Sequence, residues 1–418
     1  MKGRKLLVLL LIVFLSLSAA YASGAKETQD TKVTTIDFWH HYSAQSAENQ
    51  TLMSVLIPRF QQDNPDIRVN AVSHEWAELH NKVLISSSTG SLPDIARCDI
   101  AWLPEFQKMG ILIPLDSEIP GFEKVSSQLL DSAMSTTRID KNYYALALNT
   151  NTKILFYNTK MLKDAGLSVP KTTDELLAAI RALSGKNTKG QQVWGWNEPA
   201  LSGWNLCPFI WTFGGSLTNA EQTVATGFVN SKETVKAIET FASLVKEGGI
   251  TGFNSGDIPM TDGFGTFRYA MMLEGPWKTS ELDGSYPNVA YGTALMPTGK
   301  GGTVSVLGGE DIAMFTGANK EAAWKFMDFM TGEFAQIEMA KSGQIPVNKA
   351  ALSSDTVKNA PFAPFLEAIK TAKARPTVST WSEIDNELNV AVYQVVSGKK
   401  TAQSALDELA LKMDALLK

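Results

Sequence analysis

The chain has 418 residues, of which 44% are hydrophobic and 19% charged, with a formal net charge of −5. That length is large for one hydrophobic core, so two lobes are expected. The acidic balance, without any run of like charge, argues against a nucleic-acid or anionic-membrane surface, which would need clustered positive charge.

Lys2, Arg4 and Lys5 precede the apolar run Leu6–Leu17, and Ala20-Tyr21-Ala22 follows as a small-x-small cleavage pattern. These residues read as a secretory signal peptide over 1–22, cut after Ala22, with an uncleaved anchor as the lesser reading because the apolar run is short for a span, and the mature protein is expected in the periplasm or outside the cell. Cys98 and Cys207 are the only cysteines. They are expected in different lobes as free thiols, since a bridge between them would lock any hinge.

Val33–Trp39 reads as a first strand ending at His40-His41-Tyr42. Ser43 is placed to cap a helix carrying Leu52, Met53, Val55, Leu56 and Phe60, which Pro58 should kink or shorten. A strand at Ile67–Val72, a helix to about Ser88 and a strand at Asp94–Cys98 follow. This alternation predicts a parallel sheet covered by helices. Tyr143–Asn158 holds two apolar strands around the polar break Asn149–Asn151. That break suits a hinge crossover between lobes with a ligand cleft beside it; a hairpin or a loop inside one domain would have the same pattern. Beyond it, Thr172-Thr173-Asp174-Glu175 is a capping box opening a helix. Trp194–Gly215 reads as irregular, Ser231–Lys246 as an amphipathic helix and Ala270–Trp277 as a strand. The pair Ala290–Met296 and Thr303–Leu307 brackets Pro297–Gly302, taken as the return to the first lobe. Ala322–Met330 and Gln403–Leu417, the latter capped by Thr401, are late helices. The expected division is 33–148 with 297–345 as the first lobe, and 149–296 with 346–418 as the second.

Segments recurring in a fixed order carry a resemblance. They include Asn64-Pro65-Asp66-Ile67, Leu92-Pro93-Asp94-Ile95, Gly110-Ile111-Leu112-Ile113-Pro114-Leu115, Leu155-Phe156-Tyr157-Asn158, Gly275-Pro276-Trp277, Leu307-Gly308-Gly309, Ala323-Trp324-Lys325-Phe326, Gly343-Gln344-Ile345-Pro346 and Ala374-Arg375-Pro376 with Trp381. Together they resemble family 1 of the extracellular solute-binding proteins, the sugar-binding components of ABC importers, over essentially the whole mature chain. The resemblance implies a two-lobed α/β periplasmic binding protein fold with a hinge and a ligand cleft. It also implies capture of a mono-, di- or oligosaccharide by lobe closure, delivery to ABC permease subunits in the membrane, and no enzymatic activity. A monomer is expected. A glycerol-phosphate-type polyol-binding protein and a secreted glycoside hydrolase are the alternatives.

The 10 tryptophans are the strongest signal for a sugar, because an indole face covers the C–H face of a pyranose. Trp277, after a Gly-Pro turn, and Trp381, after Arg375-Pro376, match family cleft positions, and both are expected to stack on ligand. Trp204 is the better cleft candidate of the pair Trp204 and Trp211. Trp76 follows the second strand, where open α/β sheets put ligand loops, though it could equally lid the core. Glu310, after Gly308 and Gly309, and Asp99, past the third strand, offer carboxylates to vicinal hydroxyls; for Glu310 a cap or a solvated surface is the competing reading. Asn151 can donate and accept at the crossover, and Arg375 either touches ligand or ties its lobe together. His41 and Tyr42 are further cleft candidates, while Asp94 is expected to be structural and Trp324 core. His74-Glu75 with His80 lacks zinc-site spacing, and His40 and His41 face opposite ways on a strand, so no metal or other cofactor is expected. There is no GxSxG elbow, P-loop or complete GxGxxG. Mostly aromatic and acidic candidates favour a neutral sugar over a phosphorylated ligand.

Overall fold

The structure, a computed structural model, describes residues 33–418. The signal-peptide expectation over 1–22 lies outside them. Two six-stranded sheets, each wrapped by helices, form the two lobes. The first sheet runs Ile345–Pro346, Ala145–Thr152, Leu307–Met314, Ile95–Asp99, Thr34–His40, Ile67–Ser73. Its strands 95–99, 34–40 and 67–73 are mutually parallel, as the strand–helix alternation predicted. The sheet is nevertheless mixed, because Leu307–Met314 pairs antiparallel with both neighbours. The second sheet is mixed too. Ile250–Thr251, Gln192–Asn197 and Tyr269–Glu274 lie parallel, while Ile154–Asn158 joins antiparallel between Tyr269–Glu274 and Tyr291–Ala294.

The central stretch departs from expectation in an informative way. Asn149–Asn151 is not a break: the strand Ala145–Thr152 runs straight through it, and its amide side chains sit on the buried sheet. The chain changes sheet one residue later, at Lys153, before resuming as Ile154–Asn158. The return comes at Leu307 rather than Pro297. Thr298 still pairs with the second lobe at Thr172, and Val304 and Val306 belong to the second-lobe core. The two crossings lie side by side, with Thr152 Oγ1 donating to the Val306 carbonyl (2.7 Å) and Ser305 Oγ to the Lys153 carbonyl (2.6 Å). Lys373 flanks them, its amide bonding the Ser305 carbonyl and its carbonyl accepting from the Leu307 amide.

Local chemistry explains most elements. The Thr172 capping box is present, and Thr401 and Ser231 cap their helices as the sequence predicts. Ser46, not Ser43, caps the first helix. Pro58 does not shorten the helical stretch, which runs on to Asp63; it has no N–H for a carbonyl one turn back, and the preceding turn Leu52–Leu56 loosens into π-helix. Trp194–Gly215 is more regular than expected, since it contains the strand Gln192–Asn197 and the buried helix Gly203–Thr212. Trp196, Phe209 and Trp211 of this segment pack in the second-lobe core instead of lining a loop, while Trp204 is only partly buried. Asp94 is structural, accepting from the backbone amides of Asp37 (2.8 Å) and Asn319 (2.7 Å). Trp324 packs partly buried against the first-lobe core. Cys98 and Cys207 are buried free thiols, one in each lobe.

Candidate functional site

Parallel strands end together, so the loops after His40, Ser73 and Asp99 meet at one sheet edge, where open α/β sheets place ligands. The antiparallel neighbours bring Glu310 opposite both Asp99 and Asn149 at that edge. The second lobe faces it with the ends of Gln192–Asn197 and Tyr269–Glu274 and the start of the helix Gly203–Thr212. Three linked clusters result.

The first surrounds Arg97, which sequence reasoning missed. Its Nη2 lies 2.8 Å from Glu310 Oε2, its Nη1 2.9 Å from His41 Nδ1, and its guanidinium carbon 4.2 Å from the Tyr42 ring centroid. Asn149 and Asn151 both donate to Glu310 Oε2, the latter at 3.3 Å. Burial holds the His41 imidazole well below its ordinary range and Arg97 pushes the same way, so His41 is a neutral acceptor. Burial also pushes Glu310 up, while Arg97 pulls it back. Glu310 is thus neither a helix cap nor a solvated surface group.

The second cluster centres on Asp99. It accepts from Arg375 Nη2 (2.7 Å), the Ala101 amide (2.8 Å) and Trp76 Nε1 (3.2 Å). Trp76 is 40% exposed and leans on Trp102, so it stands at the site rather than sealing the core. Of the two roles expected of Arg375, the structure shows a structural tie: its guanidinium is held by Asp99 and lies 5.3 Å over the Trp204 ring.

The third cluster belongs to the lobe junction. Trp204 and Trp277 stack with centroids 6.5 Å apart and planes at 27°. Each ring lies on a glycine: a Cβ on Gly275 would come within 2.2 Å of the Trp277 ring, and one on Gly308 within 2.6 Å of Trp204. Gly309 is similarly confined, since a Cβ there would sit 2.7 Å from the Asn149 carbonyl oxygen. Lys153, fully buried at the sheet change, donates to Asn205 Oδ1 and lies 5.2 Å over Trp204. Burial lowers its pKa against the pull of Glu274 and Glu198. Burial likewise raises Glu198 to about 7, opposed by Lys153. Lys153, Asn149, Glu198 and Glu274 were not anticipated. The signal for Arg97 and Lys153 was a lone cation inside a short apolar strand or at its joint, a placement tolerated only with partners.

Ten of the eleven expected site residues converge here: His41, Tyr42, Trp76, Asp99, Asn151, Trp204, Trp277, Gly309, Glu310 and Arg375. Trp381 does not. It is 3% exposed, starts the helix Trp381–Val396, belongs to the second-lobe core, and its ring presses on Gly203. The indole that pairs with Trp277 is Trp204. Among the described residues no group of three or more His, Cys, Asp or Glu side chains is placed to hold a metal ion, and no helix is long and apolar enough to cross a membrane.

A putative binding protein of Brucella abortus is 27% identical over 379 residues, covering 86% of this chain and 88% of its own. The maltotriose-binding protein of Pyrococcus abyssi is 23% identical, over 87% and 78% of the two chains. Among solved structures, a solute-binding protein of Thermotoga lettingae bound to α-D-tagatose superposes with a TM-score of 0.83 at 23% identity, over 92% of this chain and 100% of that one. The GacH receptor of Streptomyces glaucescens gives 0.81 at 23% identity, over 92% and 98%. Those likenesses establish the two-lobed fold. The profile of the family described as bacterial extracellular solute-binding protein matches residues 56–364, and the chain belongs to that family.

Proposed function

We propose that this protein is the extracytoplasmic, substrate-binding component of an ABC importer. It binds an oligosaccharide or smaller sugar between its lobes, acts as a monomer without catalysing a reaction, and hands the sugar to membrane permease subunits. The carrying observation is the Trp204–Trp277 pair on its glycine shelves, bordered by the carboxylates and amides of Glu310, Asp99, Asn149 and Asn151. Indole faces suit the apolar faces of sugar rings, and fixed polar groups suit their hydroxyls. Relatives and structural neighbours whose ligands are sugars, among them the maltotriose and tagatose binders, support the reading. A cleaved signal peptide would deliver the protein to that compartment.

The ligand favours the closed arrangement only through its greater affinity for it. An affinity near micromolar corresponds to roughly 8 kcal/mol, within reach of two stacked rings and several hydrogen bonds. Intrinsic tryptophan fluorescence, titrated with mono-, di- and oligosaccharides and with glycerol 3-phosphate, tests the reading. Saturation by a sugar is expected, and Trp277→Ala abolishes it with little change in Tm. Saturation by glycerol 3-phosphate alone, or release of reducing ends over hours, refutes it.

A further inference from the structure

Glu105, His80 and Ser382 form a contact outside the three clusters just described. Glu105 Oε2 accepts from Ser382 Oγ at 2.7 Å and lies 2.9 Å from His80 Nε2, while Ser382 Oγ is 3.2 Å from the same nitrogen. A Ser-His-Glu set invites comparison with a hydrolytic relay. A relay needs the hydroxyl on one ring nitrogen and the carboxylate on the other. Here both meet Nε2, so the imidazole cannot pass a proton between them.

What the contact does is span the lobes. His80 and Glu105 sit on the first-lobe helices Trp76–Thr89 and Leu103–Lys108. The His80 ring is pinned there, stacked on Phe106 (5.6 Å, 18°) and beside Trp102 (5.2 Å). Ser382 lies in the first turn of the second-lobe helix Trp381–Val396, whose favourable partner at that end is a negative charge. Its position is fixed from behind. Trp381 is buried against Gly203, and Asp385 on the next turn accepts from the Gly203 amide. Both ends of the contact are therefore rigid, and it exists only when the lobes meet. The Glu105 and His80 side chains retain 20% and 11% exposure, so the contact is partly shielded from solvent.

We propose that Glu105, oriented by His80, and Ser382 form a latch between the lobes that holds the closed arrangement and slows release of bound sugar. Glu105 and Ser382 are positioning residues that touch no ligand. The inference rests on the proposed sugar-binding reading for its ligand, but the latch itself can be read without one. Stopped-flow fluorescence of sugar release, with hydrogen exchange of the amides at 381–386 in ligand-free protein, tests it in Ser382→Ala, Glu105→Gln and the double variant.

Loss of a hydrogen bond to a charged group predicts release faster by roughly tenfold in Ser382→Ala, by the same factor for every sugar that binds. The double variant is expected to be no faster than the faster single one. Faster exchange at 381–386 is expected in each variant. Unchanged release and exchange, additive single effects, or a loss that differs from sugar to sugar overturns the latch. If wild-type protein binds no sugar but exchange responds as stated, the latch stands and the sugar reading falls.

Discussion

Gly308→Ala isolates lobe closure from lobe folding. Gly308 takes no left-handed conformation, so its backbone accepts alanine, and the whole effect of the substitution is one methyl group. That carbon would sit 2.1 Å from Asn151 Oδ1 and 2.6 Å from the Trp204 ring, where ordinary contact begins at 3.4 Å. Asn151 is the end of a side chain on the neighbouring strand and can turn aside within its own lobe. Trp204 belongs to the other lobe and is hemmed by Trp277, Lys153 and Arg375. The clash therefore weighs on the closed arrangement. Inserting a methyl into packed surroundings costs about 1–3 kcal/mol. Charged to closure, that weakens sugar binding about five- to 150-fold. The Tm of ligand-free protein moves by no more than about 4 °C, the shift expected for roughly 1 kcal/mol at this size. Fluorescence titration gives the first quantity and calorimetry the second. An unchanged Kd refutes the argument, and so does a weakened Kd matched by an equal loss of ligand-free stability.

Other outcomes follow from the same geometry. Lys153→Met removes the charge that opposes burial at Glu198, so the folded-state pKa of Glu198 should rise further, as NMR titration would read. Glu198, raised to about 7 when folded, binds a proton more tightly in the native than in the unfolded chain. Its contribution is complete below the unfolded carboxylate pKa and is lost as pH rises through 7. Glu198→Gln should therefore flatten the decline in Tm between pH 5 and pH 8. Burial pushes both the Cys98 and Cys207 thiols up, so a thiol reagent at pH 8 should label neither until the protein unfolds.

Periodic apolar patterns and capping chemistry made the fold largely legible in the sequence. Thr172, Ser231 and Thr401 marked helix starts because a cap is a local event. The sheet change was misplaced because Asn149 and Asn151 read as a loop, whereas they sit in a strand with buried partners: Arg97 and Glu310 for the Asn149 amide, and Glu310 for the Asn151 Nδ2. Local polarity cannot reveal partners 50 to 160 residues away. The same long-range pairing hid Arg97 and Lys153. Trp381 erred in the opposite direction. Its motif suggested a ligand surface, but Gly203, far away in sequence, supplies the room that buries it. Trp204 lies in a helix where a loop was expected, yet this half-buried indole near the helix start still stacks on Trp277 at the lobe junction.

The paired crossings at Lys153 and Val306 have a mechanical consequence. Laced together by Thr152 and Ser305 and flanked by the backbone at Lys373, they form a narrow ribbon three strands wide. Such a ribbon flexes across its thin direction and resists shear within its plane, so the lobes should swing about one axis and spend little entropy in doing so. Distances between spin labels on the two lobes, with and without sugar, should then vary along a single coordinate; independent changes in two directions would show a looser joint.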